Sequence, residues 1–582
     1  MKQVKLKIDG IEVTADENSS IMQAAETIGI HIPRLCYHPD LSIEGACRVC
    51  IVKVKGVDYY VTSCSGKVQE GMEVESNSPE IRQARRDIIE LILDNHPKEC
   101  QLCERDGNCE LQNLSYTLGV RKRRFEGKRK TYPVEDSSLS VVRDPEKCIL
   151  CGRCIRVCKQ VQGIYNLSQH HRGAKTIVTP AYGINMDESV CIQCGQCINV
   201  CPTAALSEKK HTREVWKALA NPDLHVIVQT APSIRAAIGE EFGYEPGTPC
   251  SGQMVTALRK MGFDAVFDTN VGADLTIIEE SNELIRRLKE KKDLPLITSC
   301  SPGWVNFMEK FYPELIPLAS TCRSPMSMLS ALIKTYYAKQ KGIDPKKIFV
   351  VGVMPCVAKK YEMDRKEHYL DGMKLTDAVL TTREAAWMIK SYGLNFVKLE
   401  DGDFDHPLGE SSGGADIFGT TGGVMEAALR NAAEVITGET LKEVEFKDVR
   451  AVEGLREREL KIGDLTLSIG VANGLTNAKI LLDKVIKKEK VFHVIEIMAC
   501  PGGCIGGGGQ PYPPRGYTFL DPALIAKRAS ALYAIDENKK IRVSSENPTI
   551  QKLYRDFLKK PGSEIAHKLL HTTYQPKFPR GV

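Results

Sequence analysis

Two groups of closely spaced cysteines constrain this 582-residue chain more than any other feature of its sequence. The first group begins at Cys148 and ends at Cys158, with two, two and three residues between successive cysteines. The second group repeats the same spacing from Cys191 to Cys201. Gaps this short suit metal ligands in a protein that has no use for disulfides. The spacing therefore predicts that this part of the chain folds around bound metal.

The repeated spacing is the ligand pattern of bacterial ferredoxins that carry two [4Fe–4S] clusters. In that pattern a proline follows the last cysteine; Pro202 occupies this place in the second group, and Lys159 replaces it in the first. The fourth cysteine of each group ligates the cluster of the other group. The pattern thus predicts one cluster on Cys148, Cys151, Cys154 and Cys201, and a second on Cys158, Cys191, Cys194 and Cys197.

Two further sets of candidate ligands precede the ferredoxin pattern. Four cysteines form the first set, which can hold a [2Fe–2S] cluster or a tetrahedral zinc ion. A histidine at the end of a helical stretch and three cysteines form the second, which can hold zinc or a [4Fe–4S] cluster. The clusters predicted downstream favour iron–sulfur ligation for both. The sets are Cys36, Cys47, Cys50 and Cys64, and His96, Cys100, Cys103 and Cys109.

Composition excludes several classes of protein. The 79 basic and 74 acidic residues give a net charge of +5, which argues against a nucleic-acid partner. The N-terminal sequence has no apolar signal region, and no apolar stretch approaches about 18 residues, so we expect a cytoplasmic protein that does not enter a membrane. We expect the basic run at 121–130 to be a solvated loop, with a docking patch for an acidic electron carrier as the alternative.

The pattern changes from about residue 210, where apolar segments begin to alternate with helical stretches. This alternation predicts an α/β region with a mostly parallel sheet. In such sheets, functional side chains follow the carboxyl ends of the strands. The predicted strands are at 225–231, 264–269, 294–300 and 347–356, and the helices at 274–291 and 324–341.

Three segments in this region place cysteine directly after an apolar strand, in loops rich in proline and glycine. They are TSCSPGW at 298–304, MPCVAKKYE at 354–362 and MACPGGCIGGGGQ at 498–510. These segments resemble the three signature stretches of the [FeFe]-hydrogenases. The resemblance extends over essentially the whole chain, which is similar to the large multi-cluster catalytic subunits of that family.

The resemblance implies a fold of four parts. An α/β catalytic domain with an H-cluster follows a β-grasp-like [2Fe–2S] domain, a [4Fe–4S] domain with one histidine and three cysteine ligands, and a bacterial-ferredoxin-like α+β domain. The implied boundaries are 1–79, 80–138, 139–209 and 210–582, with a small-subunit-like helical segment at about 517–577.

The H-cluster of this family joins a [4Fe–4S] cube to a diiron unit with CO, cyanide and an azadithiolate bridge. By motif, Cys504 is the shared thiolate, and Cys356 and Cys500 are further cube ligands. Serine stands at position 301, where the family has its fourth cysteine ligand. Either Ser301 ligates through oxygen, or Cys300 or Cys322 takes over, or the cube has some other partner; we expect Ser301 to be the ligand.

The resemblance also implies a proton path and a lined pocket. Protons would pass from Cys300 to Glu280, Ser320 and Glu283, with Arg287 near the surface; a solvated helix face is the alternative for the two glutamates. Lys359 would donate to a cyanide of the diiron unit, oriented by Glu362. The pocket would be lined by Pro232, Met354, Phe418 and Met498.

The function implied is the reversible reaction 2H⁺ + 2e⁻ = H₂. One [2Fe–2S] and three [4Fe–4S] clusters would relay electrons to or from ferredoxin, and maturation proteins would insert the diiron unit. An alternative is a subunit of an electron-bifurcating NAD(P)H- and ferredoxin-dependent complex, whose partner subunits would bind flavin and NAD(P), because this chain has no Gly-rich dinucleotide fingerprint. An electron-transfer subunit like those of NADH dehydrogenase and an H₂ sensor are further alternatives.

Overall fold

The computed structural model describes residues 2–122, 124–125, 129–437, 445–450 and 454–577, so part of the basic run lies outside the described residues. The chain divides into two compact units. The first comprises residues 1–160, 165–189 and 200–207, and the second comprises 161–164, 190–199 and 208–582. The second unit thus includes Cys191, Cys194 and Cys197, whereas Cys158 lies in the first. The four domain boundaries expected from sequence remain predictions.

A five-stranded sheet with the order β2-β1-β5-β3-β4 begins the first unit and packs with one helix around an apolar core. The strands of this sheet are β1 (Gln3–Ile8), β2 (Ile11–Asp16), β3 (Ile51–Val54), β4 (Val61–Thr62) and β5 (Glu73–Glu75). The unit also contains β6 (Val141–Arg143), β7 (Ser168–His170), β8 (Ile177–Thr179) and β9 (Leu206–Glu208). Its helices are α1 (Ile21–Thr27), α2 (Pro79–Asp94), α3 (Glu110–Thr117) and α4 (Arg153–Gln160).

Local signals in the sequence explain the ends of these elements. Strands β1 and β2 pair antiparallel through Asp9 and Gly10, which both have positive φ angles, of 49° and 82°. A two-residue turn of this kind matches the twist of a hairpin, and glycine adopts it without strain. The Ser78 side chain accepts a hydrogen bond from the Ile81 N–H at the start of α2, and the helix ends at Asp94, before Pro97.

Two four-stranded sheets organise the second unit, with orders β11-β10-β13-β16 and β12-β19-β18-β17. Apart from the antiparallel pair β17–β18, their neighbouring strands run parallel. These two sheets comprise β10 (His225–Thr230), β11 (Ala265–Asp268), β12 (Leu296–Ile297), β13 (Ile348–Met354), β16 (Ala378–Thr381), β17 (Leu455–Ile462), β18 (Leu465–Asn473) and β19 (Val494–Met498), and a separate hairpin comprises β14 (Tyr369–Leu370) and β15 (Met373–Lys374).

The first of these sheets is buried on both faces. In β10, Val226 and Val228 contribute to one hydrophobic cluster and Ile227 to another. In β13, Val351 belongs to the first of these clusters and Val350 to the second. Parallel strands covered by helices on both faces read as continuous apolar runs, which is why the sequence predicted them. The four expected strands correspond to β10, β11, β12 and β13, so the predicted α/β architecture is confirmed.

Helices cover these sheets and form the C-terminal segment. The stretches expected at 274–291 and 324–341 correspond to α8 and to α10 and α11, which a π-helical turn at Ile333–Tyr337 joins. No helix in the described part of the chain is long and apolar enough to span a bilayer. The helices are α5 (Gln196–Asn199), α6 (Thr212–Leu219), α7 (Ser251–Lys260), α8 (Asn270–Glu290), α9 (Pro302–Phe311), α10 (Pro325–Leu332), α11 (Ala338–Lys341), α12 (Ala358–Glu362), α13 (Thr382–Ser391), α14 (Gly413–Asp416), α15 (Gly423–Thr437), α16 (Leu475–Ile486), α17 (Pro522–Asn538), α18 (Pro548–Leu553) and α19 (Glu564–Leu570).

Candidate active site

Three loops of the second unit bring the candidate H-cluster ligands together at the carboxyl ends of strands. Cys300 follows β12, Cys356 follows β13, and Cys500 and Cys504 follow β19. Burial raises the pKa of each thiol, and the neighbouring Cys356 raises the pKa values of Cys500 and Cys504 further. Thiols that are costly to ionise together fit a bound cationic cluster, because metal ligation supplies the compensating positive charge.

The glycine-rich run after Cys504 packs backbone against backbone. A Cβ atom on Gly507 would lie 2.2 Å from the Pro355 carbonyl oxygen, and one on Gly508 would lie 2.4 Å from the Cys194 carbonyl oxygen. Such approaches exclude any side chain. The loop that carries Cys191, Cys194 and Cys197 therefore lies directly against the loop of Cys500 and Cys504.

Polar side chains fix the contact between these two loops. The Gln196 amide donates to the Gly506 carbonyl oxygen at 3.2 Å, and the Asn199 amide donates to the Gly507 carbonyl oxygen at 3.3 Å. The Lys310 ammonium donates to the Cys191 carbonyl oxygen at 2.8 Å. These contacts and the close backbone approach hold two cysteine-bearing loops of the same unit together.

Lys359 points from α12 toward the loop of Cys300. Its ammonium lies 2.7 Å from a carboxylate oxygen of Glu362 and 3.4 Å from the Cys300 carbonyl oxygen. The other Glu362 oxygen accepts a short hydrogen bond from Ser324. Glu362 therefore contacts both Lys359 and Ser324, and the roles of Lys359 and Glu362 at the diiron unit remain predictions.

Ser301 lies beside the loop of Cys500. Its Oγ accepts a hydrogen bond from the Ala499 N–H at 3.4 Å, next to the first of the two loop cysteines. Cys322 is fully buried, and its N–H donates to Ser320 Oγ at 3.2 Å. The ligand assignments of Ser301, Cys300 and Cys322 all remain predictions.

A buried apolar cluster lies next to Cys300. Cys300 packs against a buried cluster that contains Phe418 and Met498. Pro232 begins a short turn that contacts the turn of Phe418, and the Ala231 N–H donates to the Val353 carbonyl oxygen next to Met354. The four expected lining residues are thus buried, in a region that can exclude water.

The expected proton carriers form a buried series along α8. Glu280 lies near enough to Ser320 and Glu283 for both to affect its pKa, and near enough to Cys300 to raise the pKa of that thiol. Burial is the main cause that raises the pKa of Glu280 to about 8. Because Glu280 and Glu283 are only 3% and 7% exposed, the solvated-face alternative is wrong. Arg287, expected near the surface, is itself buried at 3% exposure.

Two of the relay ligand sets of the first unit each line one cavity. His96, Cys100, Cys103 and Cys109 surround the first cavity, and Cys148, Cys151, Cys154 and Cys201 surround the second. Within the described residues, no three His, Cys, Asp or Glu side chains converge on a point suited to one metal ion. Each set thus lines a cavity, and the type of cluster that it holds remains a prediction.

The N-terminal thiols lie in two contacting pairs. The Cys47 N–H donates to Cys36 Sγ at 3.4 Å, and Cys50 and Cys64 lie near enough to affect each other's pKa. The Cys50 contact is the main cause that raises the pKa of Cys64, with burial next. The set of Cys158, Cys191, Cys194 and Cys197 is divided between the two units and remains a prediction.

One buried carboxyl near the site was not anticipated. Glu496 lies in β19 and accepts hydrogen bonds from the N–H groups of Gly422 and Met425, both at 2.7 Å. Burial is the main cause that raises its pKa to about 7. Its sequence signal is a glutamate inside the apolar run VIEIM, since buried carboxylates are rare.

Family models match along the chain in the order expected from the cysteine pattern. The model described as iron only hydrogenase large subunit, C-terminal domain, matches residues 224–508, and the model for the iron hydrogenase small subunit matches 522–577. The N-terminal matches are a 2Fe-2S iron-sulfur cluster binding domain at 1–79, an NADH-ubiquinone oxidoreductase-G iron-sulfur binding region at 85–124 and a 4Fe-4S dicluster domain at 147–205.

Similar proteins extend the match over the full length. The chain is 48% identical to the NADP-reducing hydrogenase subunit HndD of Solidesulfovibrio fructosivorans, over 99% of both chains. It is 42% identical to iron hydrogenase 1 of Clostridium pasteurianum, over 98% of this chain and 99% of that one. A solved structure of [FeFe]-hydrogenase HydA1 from Chlamydomonas reinhardtii is 41% identical, with a TM-score of 0.57 over 63% of this chain and 99% of that one.

The fold and the cysteine-bearing loops define an iron–sulfur oxidoreductase that acts on H₂. The chain belongs to the [FeFe]-hydrogenase family and is a catalytic subunit with an H-cluster and an iron–sulfur electron relay. The family resemblance inferred from sequence is therefore confirmed. The NADH dehydrogenase alternative is wrong for the chain as a whole, although one N-terminal segment matches a family model of that enzyme.

Replacing Gly508 with alanine should slow electron transfer into the active site. The new Cβ would meet the Cys194 carbonyl oxygen, so the two cysteine-bearing loops must separate. We expect slower H₂ production from reduced viologen and a larger steady-state signal of reduced clusters in electron paramagnetic resonance. Gly372→Asn is the matched control, since Gly372 has φ +78° and nothing within 4 Å of its Cβ position. Equal rates in Gly508→Ala and the control would contradict the prediction.

Replacing Glu280 with glutamine should stabilise the fold in a pH-dependent way. The native carboxyl keeps its proton up to a pKa of about 8, whereas the unfolded chain loses its proton near the ordinary value of 4.5. Native stability therefore falls as pH rises between these values, and glutamine removes this loss. The melting temperature of Glu280→Gln should exceed that of the wild type by more at about pH 8 than at about pH 4. The exposed Glu290→Gln on the same helix should show no such difference.

Proposed function

We propose that this chain catalyses the reversible reaction 2H⁺ + 2e⁻ = H₂, with Cys300 as the side chain that exchanges protons at the active site. The observation that carries the proposal is the series formed by the half-buried Cys300 and the buried Glu280, Ser320 and Glu283. A dry active site needs such a series, because protons cross it only between groups within hydrogen-bond reach.

The cofactor and the chain have separate tasks in this proposal. When bound, the H-cluster supplies the redox chemistry that interconverts protons, electrons and H₂. Cys356, Cys500 and Cys504 would hold it, and Ser301 would supply the fourth ligand through oxygen. An oxygen ligand is harder than a thiolate, so it would shift the reduction potential of the cube relative to an all-cysteine site.

The remaining residues of the site control protons and water. Glu280 has a pKa near neutrality, which suits a group that both takes up and releases protons at working pH. Lys359, fixed by Glu362, presents a cationic donor to the pocket. Pro232, Met354, Phe418 and Met498 would exclude water, which strengthens each of these electrostatic interactions.

We further propose four relay clusters: one [2Fe–2S] cluster in the N-terminal set and three [4Fe–4S] clusters in the sets that follow. The histidine in the second set removes one negative charge from the ligand shell. By the effect that raises the potentials of histidine-ligated clusters, it should shift the potential of that cluster relative to its neighbours.

Two electron partners are candidates for this chain. The first is ferredoxin, and the second is a bifurcating complex with NAD(P)- and flavin-binding subunits. The second is favoured by the 48% identity to a hydrogenase subunit named NADP-reducing, together with the lack of a dinucleotide fingerprint in this sequence. A cytoplasmic location and a need for maturation proteins remain predictions.

Loading the chain with a diiron cofactor tests the central proposal. We expect infrared bands of CO and cyanide and H₂ production from reduced viologen. Cys300→Ala should keep the bands and lose H₂ production by a factor of roughly 10² to 10⁴, the usual range for a general acid–base group. Loss of the bands in Cys300→Ala would instead make Cys300 the cube ligand, and loss in Ser301→Ala would support Ser301. A wild-type chain with bands but negligible turnover would favour an H₂ sensor.

Electron acceptors distinguish the two partner proposals. The loaded chain should oxidise H₂ with viologen as acceptor, because viologen needs no specific binding site. It should fail to reduce NADP⁺ by itself and should gain that activity only with added flavin- and NAD(P)-binding subunits. Reduction of NADP⁺ by the isolated chain would contradict the requirement for partners, and efficient reduction of ferredoxin alone would favour the first candidate.

A further inference from the structure

Arg287 holds Glu283 but cannot pass a proton outward. Its Nε and Nη2 donate to Glu283 Oε1 at 3.1 and 2.5 Å. Its remaining N–H groups donate to the carbonyl oxygens of Asp293, Leu318 and Ala319 at 2.7 to 3.0 Å. An arginine with all its donors engaged accepts no proton, since guanidinium does not deprotonate in proteins. A proton that reaches Glu283 therefore needs another acceptor.

The second carboxylate oxygen of Glu283 faces that acceptor. Oε2 lies 3.4 Å from the Thr321 N–H and 3.5 Å from Thr321 Oγ1. Thr321 Oγ1 is 2.8 Å from Nδ1 of His571. A hydroxyl donates and accepts at once, so Thr321 links the carboxyl of Glu283 to an imidazole, the side chain whose ordinary pKa lies nearest neutrality.

The C-terminal segment holds His571 at this position. The Thr572 N–H donates to the Thr321 carbonyl oxygen at 2.7 Å, and the Arg323 N–H donates to the Leu570 carbonyl oxygen at 2.8 Å. These backbone bonds align the segment after α19 with the segment of Thr321. The ring of His571 is thereby fixed between two polar partners.

Glu279 is the second partner of this ring. Nε2 of His571 lies 3.2 Å from Glu279 Oε2, and the buried carboxylate also accepts from the Tyr554 hydroxyl at 2.6 Å and the Gly562 N–H at 2.9 Å. A carboxylate on Nε2 places the ring hydrogen there and leaves Nδ1 free to accept from Thr321.

A second histidine leads from this ring to solvent. The exposed His567 stacks on His571, with ring centroids 4.2 Å apart. Burial and then the charge of His571 lower the pKa of His567, whereas Glu279 and Glu283 raise it and Arg286 lowers it. Charge on one ring therefore disfavours charge on the other, which promotes release of a proton to water.

We propose that Thr321, His571 and His567 form the outer segment of the proton route, which connects Glu283 to solvent, and that Arg287 is a positioning residue for Glu283. The inference rests on the proposed inner series from Cys300 to Glu283. In the outward direction, the Glu283 carboxyl gives its proton to Thr321 Oγ1 while the Thr321 hydroxyl gives its own to His571 Nδ1. From His571 the proton passes to water and then to the exposed His567, because stacked rings present faces and not N–H groups to each other, and the inward direction reverses each transfer.

Four variants of the loaded chain test this outer segment. His571→Gln and Thr321→Val remove the titrating ring and the linking hydroxyl, and His567→Ala removes the surface acceptor. His171→Asn is the matched control, an exposed histidine at positive φ, where asparagine is well tolerated. Infrared bands verify the cofactor in each variant, and H₂ production from reduced viologen is measured across pH. The first two should lose about tenfold or more, at or below the usual effect of a general acid–base group, with altered pH profiles.

Adding imidazole to the buffer distinguishes a role of His567 in proton transfer from a purely structural role. It should restore much of the loss in His567→Ala, where the ring was exposed, and should leave the wild type and Glu280→Gln unchanged. The outer segment is overturned if Thr321→Val and His567→Ala match the control at every pH, or if imidazole restores nothing in His567→Ala. If the wild type is active, Glu280→Gln is inactive and the outer variants are unaffected, this inference is wrong while the proposed function stands. If the loaded wild type produces no H₂, the proposed function itself is wrong.

Discussion

The active site depends on burying ionisable groups together where water cannot solvate them. Cys300, Glu280 and Glu496 share this environment, and burial is the main reason that each holds its proton to higher pH than in water. The fold creates the environment by ending three buried strands in loops that meet. Groups that are costly to ionise alone then become useful, because a cationic cluster or an incoming proton compensates the cost.

Much of the fold could be predicted from sequence because the sequence patterns that determine it are local. Cluster ligands follow fixed short spacings, and the strands of the second unit are continuous apolar runs because both faces of their sheet are buried. The Asp9-Gly10 turn and the Ser78 cap are equally local signals. The strand–helix alternation and the order of the cysteine-bearing segments therefore predicted the architecture and the family.

Features that depend on contacts between residues far apart in sequence could not be predicted. Thr321 and His571 are 250 residues apart in sequence, and nothing near either residue indicates that their side chains meet. The family resemblance implied that Arg287 lies near the surface, yet carbonyl oxygens from two other segments enclose its guanidinium. Glu496 is intermediate: its position in an apolar strand was a visible signal, but its partners at the start of α15 were not.

The tight packing of Gly508 on Cys194 has a consequence for shortened versions of the chain. The contact places a stretch of the ferredoxin pattern inside the catalytic unit, so a cut at residue 210 would divide a compact body and not a linker. Such a fragment would expose the backbone of the glycine run, and small reductants in solution would reach the cysteine loop directly.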